Sequence, residues 1–244
     1  MWSRFSKKEV GNYGNRAKWS KRILINAVRY LDKTGCQWEL LPNDFPPYTT
    51  VSSFFHRAKV DGIWEEINRA LVEADRVQKG RSPEPSYALI DSQSAKTTGA
   101  ADERGYDGGK KVKGRKRHIT TDIEGNLLCV VVHAANIPDT ISGCNVIQRT
   151  LKRYHTIKGV SGDAGFRGTF KEYAESLRLS VDIAERITPG WSILPKRWRV
   201  ERSFGWCGNS RRLSKDYETS TWSEESHIYV ASSFVLLDRL FPAL

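Results

Sequence analysis

Three acidic residues stand at positions where a carboxylate could do chemistry. Asp91 ends the apolar run 87–90, and Asp163 ends a second apolar run, 157–162. A short apolar run that ends in a carboxylate is typical of a buried strand that delivers the acid to the edge of a sheet. Glu201 lies in a segment whose apolar residues recur at helical spacing. Our hypothesis is that these three carboxylates converge on divalent metal ions and cut DNA.

Phosphodiester cleavage defines what such a site must contain. It needs a nucleophilic water or hydroxyl and relief of charge on the leaving oxygen, and two Mg²⁺ ions about 3.5–4 Å apart can serve both ends of the displacement. Mg²⁺ prefers carboxylate oxygens and completes its shell with water and substrate phosphate. Two Asp and one Glu would therefore suffice, with Asp91 shared between the ions and Glu201 also orienting the attacking water. We expect Mn²⁺ to substitute for Mg²⁺.

The elements that would carry the aspartates have recognisable patterns. Segments 118–123 and 127–133 flank the turn 124–126 and predict a hairpin whose second strand is central, because it holds six successive apolar residues. Asp139 can cap a helix that leads into the Asp163 strand, and this strand, helix, strand order predicts a parallel pairing. A capping box at Thr169 predicts the next helix, and 180–187 can supply a last strand.

Further helices are expected on either side of this sheet. Pro195 suits the first turn of the helix that holds Glu201, and Thr221 begins a C-terminal helix with a capping box to Glu224. Near the N-terminus, Ser20 can cap a helix that Gly35 ends. Thr49 or Thr50 can cap a second helix, and a third runs from Ile63 to Val77. Three short helices with basic exposed positions are similar to a helix-turn-helix unit, although simple packing gives the same pattern.

These patterns divide the chain into four parts. Residues 1–18 form a mobile basic arm, 19–79 a helical DNA-binding domain, 80–86 a Pro/Ser linker and 87–244 the catalytic domain.

The charge balance favours a polyanionic partner. Lys and Arg number 39 against 28 Asp and Glu, a net charge of +11, and eight Trp argue against a disordered basic tail. Two alternatives to a polyanionic partner remain: the protein could be a soluble enzyme that happens to be basic, or the basic residues could form a face that contacts only solvent. The candidate DNA contacts are basic residues beside the predicted hairpin or the Glu201 helix: Lys110, Lys111, Lys113, Arg115, Lys116, Arg117, Arg197, Arg202, Arg211, Arg212 and Lys215.

Cysteine usage and hydropathy limit which classes of protein the chain could belong to. The four cysteines form no Cys-x-x-Cys pair, so neither a zinc knuckle nor a disulfide framework is expected. No run of about 18 apolar residues occurs, and the N-terminus lacks a signal-peptide pattern. We therefore expect a cytoplasmic, nucleoid-associated protein without a membrane partner.

Several polar residues have competing interpretations. Asp122 is expected in the hairpin and Asp139 at a helix cap, rather than at the metal site. His118 and His133 lie in predicted strands, where packing or a phosphate hydrogen bond competes with a metal or acid–base role. Trp206 is expected in the core, although it could stack on a flipped base.

A set of motifs, taken together, resembles one family. They are TGCQW at 34–38, LPNDFPP at 41–47, Asp91-Ser92, GRKRH at 114–118, GDAGF at 162–166, RWRVERSF at 197–204 and RRLSKDYE at 211–218. The chain resembles the DDE transposases of the insertion-sequence five family, within the four-and-five superfamily.

This resemblance implies a fold, a reaction and partners. The fold would be ribonuclease H-like, an α/β class with a mixed five-stranded sheet flanked by helices and preceded by a small all-helical DNA-binding domain. Asp91, Asp163 and Glu201 would be the acid triad. The protein would cut double-stranded DNA at terminal inverted repeats and join the 3′ hydroxyl ends to target DNA, as a homo-oligomer in the synaptic complex. A catalytically inactive DNA-binding relative and a ribonuclease H-like nuclease without strand joining remain as alternatives.

Overall fold

The computed structural model of the chain describes residues 18–184 and 195–242, with side chains in the second segment described from Trp198 onward. The predicted mobile arm, apart from Lys18, lies outside these residues. The described helices are α1 (Lys21–Thr34), α2 (Tyr48–Val60), α3 (Ile63–Gln78), α4 (Asp139–Arg153), α5 (Thr169–Ser176), α6 (Pro195–Gly208) and α7 (Thr221–Leu240). The described strands are β1 (Tyr87–Lys96), β2 (Gly105–Asp107), β3 (Val112–Thr121), β4 (Leu127–Ala134), β5 (Gly159–Gly162) and β6 (Ser180–Ile183).

The caps of α1 follow from its sequence. The Ser20 side chain accepts a hydrogen bond from the Ile23 N–H, and Gly35 ends the helix in the left-handed conformation at φ 70°. Its N–H donates to the Leu31 carbonyl at 2.9 Å. A glycine is favoured there because a side chain disfavours positive φ. Both predicted caps are confirmed.

Besides Asp139, which lies near the candidate site, three predicted caps were wrong by one to three residues. Pro47, rather than Thr49 or Thr50, precedes the first turn of α2. Gly168 precedes α5, so Thr169 is its first helical residue. Ser220 caps α7 by accepting from the Ser223 N–H. In each case the predicted cap is a nearby threonine, and sequence pattern does not fix a helix end to within one or two residues.

The sheet is mixed, with antiparallel strands on one side of β1 and parallel strands on the other. β1 pairs antiparallel with β3, and β3 pairs antiparallel with β4. On its other side β1 pairs parallel with β5, which pairs parallel with β6. Helices α4 and α5 make the two crossovers between these strands. The predicted fold class is confirmed, and so is the parallel pairing of the Asp163 strand.

Two details of the sheet differ from the prediction. β2 adds a sixth, three-residue strand, which pairs with the start of β3. β4 was expected to be central, but it pairs with β3 alone. Its free edge faces α7, where the Val130 N–H donates to the Tyr229 hydroxyl at 3.2 Å and the Val132 N–H to the Glu225 carboxylate at 2.9 Å. The long apolar run of β4 is therefore explained by the helices that pack over the strand, and not by a second partner strand.

Each face of the sheet carries its own hydrophobic cluster. One cluster joins α1, α2, α6 and α7 to residues such as Leu89 and Ile119. The other joins α4 and α5 to residues such as Ile90 and Val131. The N-terminal helices thus pack on the sheet itself, and their action as a separate DNA-binding domain stays a prediction.

Within residues 18–184 and 195–242, no helix combines the length and the apolar character that crossing a bilayer requires.

Candidate active site

Asp91 lies in β1, and Asp163 directly follows β5, the strand that pairs parallel with β1. The last paired residues of β1 and β5 are Leu89 and Ser161, and each aspartate follows two residues later. Parallel strands run about 4.8 Å apart, and residues at one register level point to the same face. If this register is extended, Asp163 is level with Asp91 just past the carboxyl end of β5. The prediction that Asp91 ends its strand was wrong, because β1 continues to Lys96 and Asp91 lies in the middle of it.

Local backbone contacts hold each aspartate in its conformation. Asp91 Oδ1 accepts a hydrogen bond from the Ser92 N–H at 2.7 Å. Asp163 caps a single 3₁₀ turn, in which its Oδ1 accepts from the Gly165 N–H at 2.9 Å. Phe166 anchors that turn, since it is buried and packs edge-on against the His118 ring. Both acids are partly exposed, as residues that meet a substrate must be.

The packing of α6 defines where Glu201 lies. Val200 is buried in the cluster that contains Leu89, on the same face of the sheet as Asp91. One flank of the helix is tied to the β3–β4 turn, where Ser203 Oγ donates to the Gly125 carbonyl at 2.7 Å. With about 100° per residue, Glu201 falls on the opposite flank, and it is exposed.

The described residues do not gather the three acids into a finished metal site. Within 18–184 and 195–242, no group of three or more His, Cys, Asp or Glu is arranged to hold a metal ion. The two aspartates fit a hard divalent cation by donor type and by register. Glu201 shares their face of the sheet but not a coordination sphere with them.

The structure corrects the prediction of DNA contact for four basic residues, because each is buried and paired inside the protein. Arg115 Nη1 lies 3.0 Å from Asp216 Oδ2, and Lys116 Nζ lies 2.9 Å from Asp139 Oδ1. Arg117 contacts Glu224, and Arg212 Nε lies 2.9 Å from Glu218 Oε1. The first three belong to β3, which begins six residues earlier than expected and is covered on both faces. Their charge therefore stabilises the fold and is not available to phosphates.

Five of the other candidates remain on the surface: Lys110, Lys111, Lys113, Arg211 and Lys215. Lys110 Nζ donates to the Ser92 carbonyl at 2.9 Å, which places a cation one residue from Asp91. The Arg197 side chain lies outside the described residues. A role of the surface group in DNA contact stays a prediction.

Trp206 is already stacked within the protein. The Arg202 and Arg239 guanidinium groups lie over its ring, 4.4 and 3.6 Å from the centroid. Arg202 also lies over Trp198, whose ring is half exposed. Since two cations cover Trp206, the alternative that it stacks on a flipped base loses its support.

His118 and His133 form a buried cluster with Asp139. His118 Nδ1 lies 2.7 Å from His133 Nε2, and His118 Nε2 lies 3.3 Å from Asp139 Oδ1. Burial lowers the pKa of His118, and burial together with His118 lowers the pKa of His133 to about 4. Burial alone would raise the pKa of Asp139, but hydrogen bonds from His118 and Lys116 lower it well below its ordinary range.

Asp139 is the residue that sequence reasoning assigned wrongly. It is the first residue of α4, where Pro138 is the cap, and its carboxylate turns to Lys116 and His118 instead. The alternation of β3 could have indicated this, because Lys116 and His118 lie two apart and so share one face.

Comparison with known proteins places the chain in a family. A family described as "Transposase DDE domain" matches residues 82–230, and one described as "Putative transposase of IS4/5 family" matches residues 3–68. A comparison with curated protein sequences found no match.

Solved structures show remote similarity. The catalytic core domain of BIV integrase is 12% identical over 63% of this chain and 82% of that chain, with a TM-score of 0.37. The Mos1 strand transfer complex is 13% identical over 93% and 78%, with a TM-score of 0.33. The Mos1 mariner paired end complex with Mn is 14% identical over 98% and 83%, with a TM-score of 0.32. At these scores the similarities carry no argument about this chain.

The transposase DDE domain match spans more than half of the chain and includes β1 and β5 with their aspartates. The chain therefore belongs to the transposases with a DDE domain, and its N-terminal part is similar to putative transposases of the IS4/5 family.

Proposed function

We propose that this transposase binds the terminal inverted repeats of its element, cleaves DNA strands there with divalent metal, and joins the freed 3′ hydroxyl ends to target DNA. One observation carries the proposal: within the transposase DDE domain match, Asp91 lies in β1 and Asp163 directly follows β5, the strand that pairs parallel with β1.

Asp91 and Asp163 would hold the metal ions, which are Mg²⁺ in the proposal, with Mn²⁺ as a substitute. Bound there, a pair of divalent ions activates the attacking oxygen and offsets charge on the leaving oxygen. The strand positions of the aspartates fix their carboxylates before substrate arrives, which reduces the cost of ordering them. Glu201 would supply the third carboxylate from α6, after its exposed flank closes on the aspartates.

The DNA would lie along the exposed basic residues near this edge. Lys110 lies beside Asp91 through its contact with Ser92. Arg211 and Lys215 follow α6 in the chain and are exposed. Contacts of Lys and Arg with phosphates release counterions, so binding should weaken steeply as salt is raised. Two DNA ends and a target would require more than one copy of the chain in the synaptic complex.

A nicking assay tests the cleavage step. The substrate is a supercoiled plasmid that carries the DNA flanking the reading frame of the protein. We expect nicking at the element ends that requires Mg²⁺ or Mn²⁺ and falls to background in Asp163→Ala. Asp61→Asn, a change at an exposed residue that ends α2, serves as the matched control and should nick normally. Nicking that survives Asp163→Ala would remove Asp163 from the site.

A strand-transfer assay tests the joining step. A pre-cut end with a 3′ hydroxyl is supplied together with a target plasmid, and joined product is expected in the presence of metal. Cleavage without any joined product would identify a nuclease that does not join strands. DNA binding with neither reaction would identify a catalytically inactive relative.

A further inference from the structure

The first turn of α4 contacts the loop that carries Asp163, and the proposed chemistry does not account for this contact. From its geometry we infer that Asp139 is a positioning residue for the Asp163 turn, and that Lys116 and His118 hold it in place. The inference rests on the proposed function, since it assigns Asp163 to the metal site.

Asp139 is fixed from the sheet side by two donors on one face of β3. Lys116 Nζ lies 2.9 Å and His118 Nε2 lies 3.3 Å from the same oxygen, Oδ1. Lys116 is itself fixed, because it donates to the Ile137 carbonyl at 3.1 Å and lies 3.6 Å from Asp107. The Asp139 carboxylate is therefore held at a defined place, and its charge is offset.

On the loop side, Gly165 lies between two carboxylates. A Cβ atom on Gly165 would lie 3.0 Å from Asp163 Oδ1 and 3.4 Å from Asp139 Oδ2. The Gly165 N–H is the donor that orients Asp163 Oδ1, at 2.9 Å. The Asp139 carboxylate thus lies beside the residue whose backbone N–H orients Asp163.

The residue after Asp139 ties down the far end of the same loop. Thr140 Oγ1 donates to the Arg167 carbonyl at 2.7 Å and accepts from the Phe170 N–H at 2.9 Å. The beginning of α4 therefore contacts the loop at both ends. Without the Asp139 side chain, the Gly165 backbone can move toward α4 and take the Asp163 carboxylate with it.

The consequence is a prediction about metal affinity in the absence of DNA. Residues that orient a metal ligand typically change affinity or activity about 10- to 100-fold when they are removed. Asp139→Ala removes the carboxylate beside Gly165, whereas Asp139→Asn keeps the shape and the side-chain oxygen. We expect Mn²⁺ to bind Asp139→Ala about 10- to 100-fold more weakly than the wild type, and Asp139→Asn to recover most of that loss.

Gly165→Ala tests the same contact from the other side. Its methyl group would press on Asp163 Oδ1 at 3.0 Å and meet Asp139 Oδ2 in ordinary contact at 3.4 Å. Because the loop is exposed, the methyl group does not enter the core and the fold should be retained. Gly99→Ala is the matched control, because a Cβ there meets nothing within 4 Å. We expect Gly165→Ala to weaken Mn²⁺ binding and Gly99→Ala to leave it unchanged.

The experiment is calorimetric titration of Mn²⁺ into the full chain without DNA, with thermal melting of every variant and with the plasmid nicking rate as a second readout. Weaker Mn²⁺ binding and slower nicking in Asp139→Ala and Gly165→Ala, with rescue by Asp139→Asn, support the inference. Wild-type affinity and rate in Asp139→Ala overturn it, whatever Gly165→Ala does, while the proposed function stands. A wild-type protein that neither binds Mn²⁺ nor nicks DNA overturns the proposed function itself.

Discussion

Arg115→Leu separates a structural from a DNA-binding role for the basic run of β3. The Arg115 side chain has no exposed surface, and its Nη1 lies 3.0 Å from Asp216 Oδ2 and 3.0 Å from the Glu218 carbonyl. Its Nε donates to the Asp102 carbonyl at 3.0 Å. Leucine fills part of the volume but leaves Asp216 buried without its cation.

The contacts of Arg115 set the size of the effect. Removing one partner of a buried ion pair costs about 3–5 kcal/mol of unfolding free energy. In a chain of this length, 1 kcal/mol corresponds to about 2–4 °C, so the melting midpoint should fall by roughly 6–20 °C. Burial already raises the pKa of Asp216, and Arg115 opposes that shift. The loss should therefore be larger at high pH, where the unpaired Asp216 must carry its charge.

Thermal and urea unfolding, together with DNA titrations at several salt concentrations, decide between the two roles. Lys113→Leu is the matched control, because Lys113 belongs to the same run and strand but is exposed. We expect it to change stability by no more than about 0.5 kcal/mol. If Arg115→Leu melted like the wild type and weakened DNA binding as Lys113→Leu does, the structural assignment would be refuted.

Three other changes have defined outcomes. Burial, with Asp216 and Glu218 nearby, raises the pKa of Glu224 from 4.5 to about 8. The protonated Glu224 therefore contributes its full share of the free energy of unfolding below pH about 4.5, and this share is lost as the pH rises through 8. Glu224→Gln should flatten that slope, at most about 1.4 kcal/mol per pH unit in urea unfolding, and an unchanged slope would contradict the assignment. Glu225→Ala removes the acceptor of the Val132 N–H, so it should cost about 1–3 kcal/mol and speed hydrogen exchange at that amide; unchanged exchange would argue against the edge cap. Gly114→Ala puts a Cβ 2.0 Å from a backbone carbonyl of β1, so the urea midpoint should fall by at least the equivalent of about 1–3 kcal/mol, and a wild-type midpoint would show that the strands can separate.

The strands of the candidate site could be predicted from sequence because their signals are local. Apolar runs that end in Asp91 and Asp163 identify β1 and β5, and the helical pattern between hairpin and strand predicts their parallel pairing. Ser20 and Gly35 are likewise local signals, and both cap α1 as expected. β2 was missed because three residues are too few to show alternation.

Whether each basic residue is buried or exposed could not be predicted, because this depends on partners that are distant in the sequence. Arg115 is buried by Asp216, which lies 101 residues further along the chain. From sequence alone, a run of basic residues is expected to be exposed to solvent. The acidic partners that bury this run lie in α7 and in the segment before it, and the sequence does not show that they contact it. Lys116 shows the same limit, since its partner Asp139 looked like a helix cap in sequence.

The position of Glu201 depends on tertiary geometry that spacing does not supply. A helical pattern indicates which face of α6 is buried, and Val200 confirms that face. The helical pattern does not show how closely Glu201 approaches the two aspartates. The hypothesis that the three acids converge therefore went beyond what the pattern could support.

Anomalous diffraction from crystals of the protein with Mn²⁺ and a DNA end measures the convergence of the acids most directly. We predict that oxygens of Asp91 and Asp163 coordinate Mn²⁺ directly, with Glu201 moved in as a further ligand. Ions bound elsewhere, or bound without either aspartate, would contradict this prediction.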